Sequence, residues 1–312
     1  MVDLTTTIGD LTFANPVMPG SGTFGEGMAR VMDINRLGAI ITKTITREIR
    51  EGNPPPRVAE LREATLFSIG IPSKGLAHYV NELVPFYQRY QPPLIASVSA
   101  NSVEEFAALA ADISVPGVAA IEANVSCPNL KRDGQAFGMD PQATRDVTHA
   151  MKAATKLPIW VKLTPNVGDI AQLARAAEQG GADALVAANA MLAMAIDVET
   201  GKPKVANLMG GLTGNATRPI NLRMAYQCVQ AVDIPVIGCG GISSAEDALE
   251  YLLAGCRAVQ VGTANFISPH AMPDIIDGLA AFCLRRKVDR ITDFIGQLQP
   301  WDVREIERQA AL

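Results

Sequence analysis

A (β/α)₈ TIM barrel, an α/β fold, is predicted by three observations. Short apolar runs rich in Val, Ile and Ala recur eight times, a longer amphipathic stretch follows each, and 312 residues suit one such barrel. The composition agrees: 48% hydrophobic and 19% charged, with 26 Gly and 20 Pro, excludes a disordered or fibrous chain. One domain spanning 1–312 is expected, with a peripheral C-terminal tail at 299–312.

The predicted strands are Asn15 to Gly20, Gly38 to Thr44, Leu94 to Ser99, Ala119 to Asn124, Ile159 to Thr164, Ala184 to Asn189, Pro235 to Gly240 and Ala258 to Gly262. Their lengths suit buried barrel strands. A helical stretch is expected after each, as in Ser102 to Ile113, Asp169 to Gly180 and Ser244 to Ala254. Ser102 with Glu105, and Ser244 with Asp247, have capping-box spacing. An open dinucleotide-binding sheet should carry GxGxxG after its first strand; this one ends in PGSGTFG.

Two connections exceed what a βα loop needs: Thr46 to Lys74, rich in Pro and charge, and Ala190 to Thr217, rich in Gly. Such loops at the C-terminal mouth of a barrel cover a ligand. A net charge of −5 with scattered basic residues excludes nucleic acid as a partner. The start MVDLTTTIGDLTF lacks a signal-peptide layout, and no apolar run approaches the roughly 18 residues of a membrane span, so a cytoplasmic location is expected. Five cysteines with no CxxC pair suit neither a disulfide framework nor a zinc or iron–sulfur site. Cys228, Cys239, Cys256 and Cys283 are expected to be small buried apolar residues.

Catalytic groups of a barrel lie at the C-terminal strand ends, which nominates Lys43, Asn124, Cys127, Lys162, Asn189, Gly240 and Gly262. Gly240-Gly241 and Gly262-Thr263 follow the last two predicted strands. One glycine pair equally suits a tight turn; two pairs there match the usual barrel phosphate site. Lys43 in ITKTIT and Lys162 in VKLTPN end apolar strands, where a bound anion or reduced cofactor would offset their charge. The alternative is that each stem packs on the rim while its ammonium reaches water. In Glu122-Ala-Asn-Val-Ser-Cys-Pro-Asn129, Asn124 and Asn129 flank Cys127. Amides suit a planar amide-bearing ring, and a thiol of pKa ~8.5 becomes a base where its thiolate is stabilised. Spacing alone equally permits a buried filler.

The strings ANPVMPGSGTFG, REGNPPPR, NVSCPN, VKLTPN, AIDVETGKP, GGLTG, IPVIGCGGI and AVQVGTANF together resemble the class 1 dihydroorotate dehydrogenases, most closely the class 1B catalytic subunit. The resemblance implies FMN at the barrel mouth and oxidation of dihydroorotate to orotate in pyrimidine synthesis. Cys127 would take a proton from C5 while hydride passes from C6 to flavin N5. Lys43 would face flavin and substrate, and Lys162 would stabilise negative charge on the reduced flavin. Gly20, Ser21, Gly22 and Thr44 would line the flavin, and Gly214, Gly240, Gly241, Gly262 and Thr263 its ribityl phosphate. Asn124, Asn129 and Asn189 would bind flavin or substrate. A homodimer is implied, beside a separate subunit carrying FAD and an iron–sulfur cluster.

The substrate loop departs from the family pattern NAIGLQNPG. The segment Phe67-Ser-Ile69-Gly70-Ile71-Pro-Ser-Lys-Gly75 places Phe67 and Ser73 where the family has asparagines, and Ala190 where it offers a hydroxyl. One expectation is that Lys74 supplies the carboxylate contact and dihydroorotate remains the substrate. The other is a flavin oxidoreductase of the same fold acting on a different cyclic amide, like dihydropyrimidine dehydrogenase. A phosphate-binding aldolase or isomerase barrel, or a barrel without turnover, is the non-redox alternative.

Overall fold

Leu94–Val98 is apolar at four of five positions and buried at all five, as a strand covered on both faces must be. It belongs to a set of eight in the computed structural model, which describes residues 2–126, 131–132 and 135–301. The barrel strands are β1 (Val17–Pro19), β2 (Ile40–Ile41), β3 (Leu94–Val98), β4 (Val118–Asn124), β5 (Ile159–Lys162), β6 (Ala184–Ala187), β7 (Val236–Cys239) and β8 (Ala258–Val261). They pair in parallel and in sequence order, and β8 pairs with β1. Between β1 and β2 the Gly38 N–H donates to the Val17 carbonyl at 2.8 Å. A Cβ on Gly38 would stand 2.1 Å from the Asn15 carbonyl, so the near-closure of the barrel demands glycine there. All eight predicted strands are present; β4 begins one residue earlier than predicted and the other seven are shorter.

Strand alternation sorts the core into two parts. One lies inside the barrel, where Met18, Ile41, Ile95, Trp160, Val186 and Ile237 meet. A hairpin of Thr6–Ile8 and Leu11–Phe13, outside the eight predicted units, joins that cluster through Ile8 and Phe13. Phe13 packs edge-on against Trp160 at 6.1 Å. The other part fills the space between strands and helices, where Val98, Phe106, Leu109, Val147, Met151 and Leu173 are buried. Each such side chain contributes on the order of 1.5–3 kcal/mol by leaving water.

The predicted helices appear as Val103–Asp112, Ile170–Gln179 and Ala245–Leu253, capped by Ser102, Asp169 and Ser244. Ser244 and Asp247 form the complete capping box. Ser102 makes only half of one: it accepts from the Glu105 N–H, but the Glu105 carboxylate takes the Asn101 N–H and side-chain amide. The first unit departs from expectation. Instead of an α-helix, β1 is followed by the 3₁₀ turns Glu26–Arg30 and Ile34–Arg36, in a segment weakened as helix by Gly22, Gly25 and Gly27. After β2, residues 75–87 are helical but widen to a π-helix at Tyr79–Leu83, before Pro85 removes an N–H from the ladder.

The two long connections meet over the mouth. Thr65–Phe67 pairs with Val58–Glu60 and with Gly210–Thr213, which pairs in turn with Met191–Ala193, giving a four-stranded antiparallel sheet. Among the described residues no helix is long and apolar enough to cross a membrane.

Candidate active site at the barrel mouth

Two lysines from different strands converge on the turn after β1. Lys162, the last residue of β5, is 4% exposed; its ammonium donates to Gln260 Oε1 at 2.7 Å and lies 3.5 Å from Ser21 Oγ. Burial opposes that charge, but the Cys239 sulfur and Glu122 carboxylate outweigh it and hold Lys162 above the usual lysine range. Lys43, beyond β2, has its Nζ 3.2 Å from where a Gly22 Cβ would stand. Burial pushes Lys43 below the usual lysine range, and among the described residues it has no hydrogen bond or ion pair. A half-buried lysine without an acceptor is stabilised by a bound group that offers one. Gly22 has φ +91, so the turn under Lys43 favours glycine conformationally as well as sterically.

Beside them the amides form a cluster. Ser126 Oγ donates to Asn124 Oδ1 at 2.6 Å, and Asn189 Nδ2 donates to Asn124 Oδ1 at 3.2 Å and to Ser126 Oγ. The Ala190 N–H bonds Asn189 Oδ1 at 2.7 Å, fixing that side chain. Asn124 Nδ2 has no partner among the described residues, which leaves a donor pair for a ligand. Thr44 is otherwise engaged: its hydroxyl meets Ser97 Oγ at 3.0 Å in the interior.

The glycine turns divide in their physical reasons. Gly240 (φ +126) and Gly241 (φ +71) are held by packing, since Cβ atoms there would meet Asn221 Nδ2 at 2.2 Å and Arg218 Cβ at 2.6 Å. Gly262 is different: its Cβ would meet only a Thr23 methyl, at 3.9 Å. Gly20 packs close by, its Cβ position 3.4 Å from the Gly262 Cα. No intramolecular acceptor takes the backbone N–H of Gly240, Gly241, Gly262 or Thr263 among the described residues. Thr263 Oγ1 meets Thr213 Oγ1 at 2.9 Å, which brings Gly214 alongside. The helix behind Gly241 is already capped, because Asp247 Oδ2 accepts from the Ser243 and Ser244 N–H groups. Free donors therefore lie in the turns, an arrangement that fits a phosphate.

The segment 67–75 is braced from below by the Arg50–Asn53 stretch. Arg50 and Ser73 exchange backbone hydrogen bonds of 2.8 and 2.9 Å, Asn53 N–H donates to the Ile69 carbonyl at 2.9 Å, and Asn53 Nδ2 donates to the Ser68 carbonyl and hydroxyl. Gly70 has φ +81 and Ile71 φ +50, the latter strained for a β-branched residue. Ser73 accepts from the Thr46 and Gly75 N–H groups, a backbone role, while Lys74 is exposed. Phe67 and Ala190 converge on Gly211, where a Cβ would stand 3.0 Å from the Phe67 ring and 2.8 Å from the Ala190 methyl. These two departures from the family pattern are one packing arrangement.

Cys127 and Asn129 lie outside the described residues. The other four cysteines are buried, with thiols pushed up by burial, Cys228 to about 12. Glu122 and Gln260 are not among the residues that strand-end position nominates, and Cys239, buried as expected, also acts on Lys162. The signal was available: Glu122 and Gln260 are polar residues on the inward face of apolar strands.

The family model described as dihydroorotate dehydrogenase matches residues 3–283. The chain is 46% identical to the dihydroorotate dehydrogenase B (NAD(+)) catalytic subunit of Desulforamulus reducens, over 95% of this chain and 98% of that protein. It is 43% identical to the subunit of the same name from a Thermoanaerobacter species, over 96% and 99% of the two chains. The same-named subunit of Geobacillus kaustophilus is 46% identical over 92% and 93%.

Proposed function

Because the chain belongs to the dihydroorotate dehydrogenase family, we propose that it oxidises dihydroorotate to orotate as the catalytic subunit of a class 1B enzyme with FMN at the barrel mouth. The observation that carries this reading is the convergence of Lys43 and Lys162 on the Gly20–Gly22 turn, beside the Asn124–Asn189 cluster. Two cations and free amide donors around one turn suit a ring that gains negative charge on reduction.

FMN, when bound, supplies the acceptor for the substrate hydride. The donors at Gly240, Gly241, Gly262 and Thr263 would hold its phosphate, with Gly214 beside them, and Gly20, Ser21 and Gly22 would line the ring. Lys162 would hold a positive charge for the ring, and Lys43 would contact ring and substrate. Thr44 supports that strand end from within. Asn124, Asn129 and Asn189 orient the substrate amides, while Phe67, Ile69, Gly70, Ile71 and Ala190 wall its pocket. Cys127, which follows Ser126 in the chain, would remove the proton from C5 as the C6 hydride leaves, so a hydride and a proton, together two electrons and two protons, depart from adjacent carbons.

The electrons leave through a second subunit carrying FAD and an iron–sulfur cluster, and the catalytic chain pairs as a homodimer. Purified protein should be yellow, and anaerobic dihydroorotate should bleach its flavin in a single turnover. A colourless protein, or a flavin that dihydroorotate leaves oxidised, contradicts the proposal.

A further inference from the structure

Three side chains from three strands form a polar chain across the barrel interior. Lys162 of β5 donates to Gln260 Oε1 of β8 at 2.7 Å, and Gln260 Nε2 donates to Glu122 Oε2 of β4 at 2.5 Å. Glu122 and Gln260 are 0% exposed. Trp160 and Ala120 lie one inward step below, in the cluster that Ile8 and Phe13 join, so no water reaches Glu122 from that side. Glu122 Oε1 has no partner among the described residues. A carboxylate so placed is costly unless a cation compensates it. The order of the chain is chemically fixed: an ammonium only donates, a carboxylate only accepts, and an amide between them does both.

Flavin chemistry gives Lys162 a task and none to Glu122 and Gln260. We propose that Glu122 and Gln260 are positioning residues, which keep the Lys162 ammonium charged and aimed at Ser21 before any electron arrives. The inference rests on the reading that a flavin binds against that turn. The titratable groups acting on Lys162 are Cys239 from β7 and Glu122 from β4. Gln260 faces it from β8 and Ser21 from the turn after β1, and its register partner on β6 is the apolar Val186. Burial pushes the Cys239 thiol up, and the partner that the hydrogen-bonded chain ties to the ammonium is Glu122, reached through Gln260. Without Glu122, one of the two groups that oppose burial on Lys162 is gone.

The test is the pH dependence of the flavin reduction potential in the holoprotein, wild type against Glu122→Gln and Gln260→Leu. In the wild type Lys162 is charged in both oxidation states and exchanges no proton. In either variant the oxidised protein should hold Lys162 neutral, and reduction should take up one additional proton per two electrons across neutral pH. Glu122→Asp should lie between. Unchanged slopes, or a parallel rise in potential with the wild-type slope, would overturn the inference, because Lys162 would then keep its charge unaided. Loss of flavin from the wild type itself would overturn the functional reading on which it stands. Should the variants not fold, ¹⁵N-lysine NMR of the wild-type holoprotein decides: Lys162, assigned by its absence in Lys162→Met, should not titrate near neutral pH. A neutral-pH titration would refute the role.

Discussion

At the scale of residues, the site separates charge held in advance from charge awaiting a ligand. Lys162 has partners, whereas Lys43 has none and is pushed down by burial from its ordinary 10.5. An anionic ligand binds the charged form of Lys43 and raises its pKa, so orotate affinity should be level at lower pH and fall as pH rises through the depressed value. The midpoint should lie below 10.5. Measured by flavin spectral change in Cys127→Ser, which removes the thiol from the titration, this fall should vanish on adding Lys43→Met. Cys127→Ser should itself slow flavin reduction by roughly 10² or more at neutral pH while FMN stays bound, since a hydroxyl is a far weaker base than a thiolate. Unchanged single-turnover rates would remove Cys127 from that role. Lys43, Lys162 and Asn189 were legible from the sequence because they interrupt or end apolar strands. Glu122 and Gln260 were not paired there: they lie 138 residues apart, and only closure of the barrel brings them together.

At the scale of elements, two glycine turns serve different ends and should respond differently. Gly240→Ala places a Cβ 2.2 Å from Asn221 Nδ2 at φ +126, and should cost about 1–3 kcal/mol of stability by disturbing the helix at 218–229. Gly262→Ala meets nothing closer than 3.9 Å. Its stability should stay within about 0.5 kcal/mol of wild type while FMN affinity falls about tenfold or more. Thermal unfolding of the apoproteins and flavin titration check both; a destabilised Gly262→Ala would show that this turn is packed rather than open. The bracing of segment 67–75 is also testable. Asn53→Ala removes two hydrogen bonds to Ser68, and should raise KM for dihydroorotate more than it lowers kcat. The helices after β3, β5 and β7 were legible to within a residue because their caps are local. The mouth sheet was not, because Phe67 pairs with Gly211, far along the chain, and such pairing has no local signature.

At the scale of the whole molecule, the barrel keeps its apolar interior at one end and its polar groups at the other. The Thr6–Ile8 and Leu11–Phe13 hairpin contributes to the apolar end, the four-stranded sheet roofs the mouth, and the lysines, amides and free backbone donors lie between. Phe67, Ser73 and Ala190 set the substrate loop apart from the family pattern, yet Phe67 and Ala190 pack together at Gly211 of that roof and Ser73 holds the Thr46 and Gly75 backbone. The substrate loop must therefore still accept the carboxylate-bearing ring of dihydroorotate. This is tested most directly by anaerobic titration of the flavoprotein with dihydroorotate and, separately, dihydrouracil. One equivalent of dihydroorotate per flavin should bleach the visible flavin band at catalytic rates, and dihydrouracil should leave it unchanged. Bleaching by dihydrouracil with an unresponsive flavin under dihydroorotate would instead make the protein a dihydropyrimidine oxidoreductase.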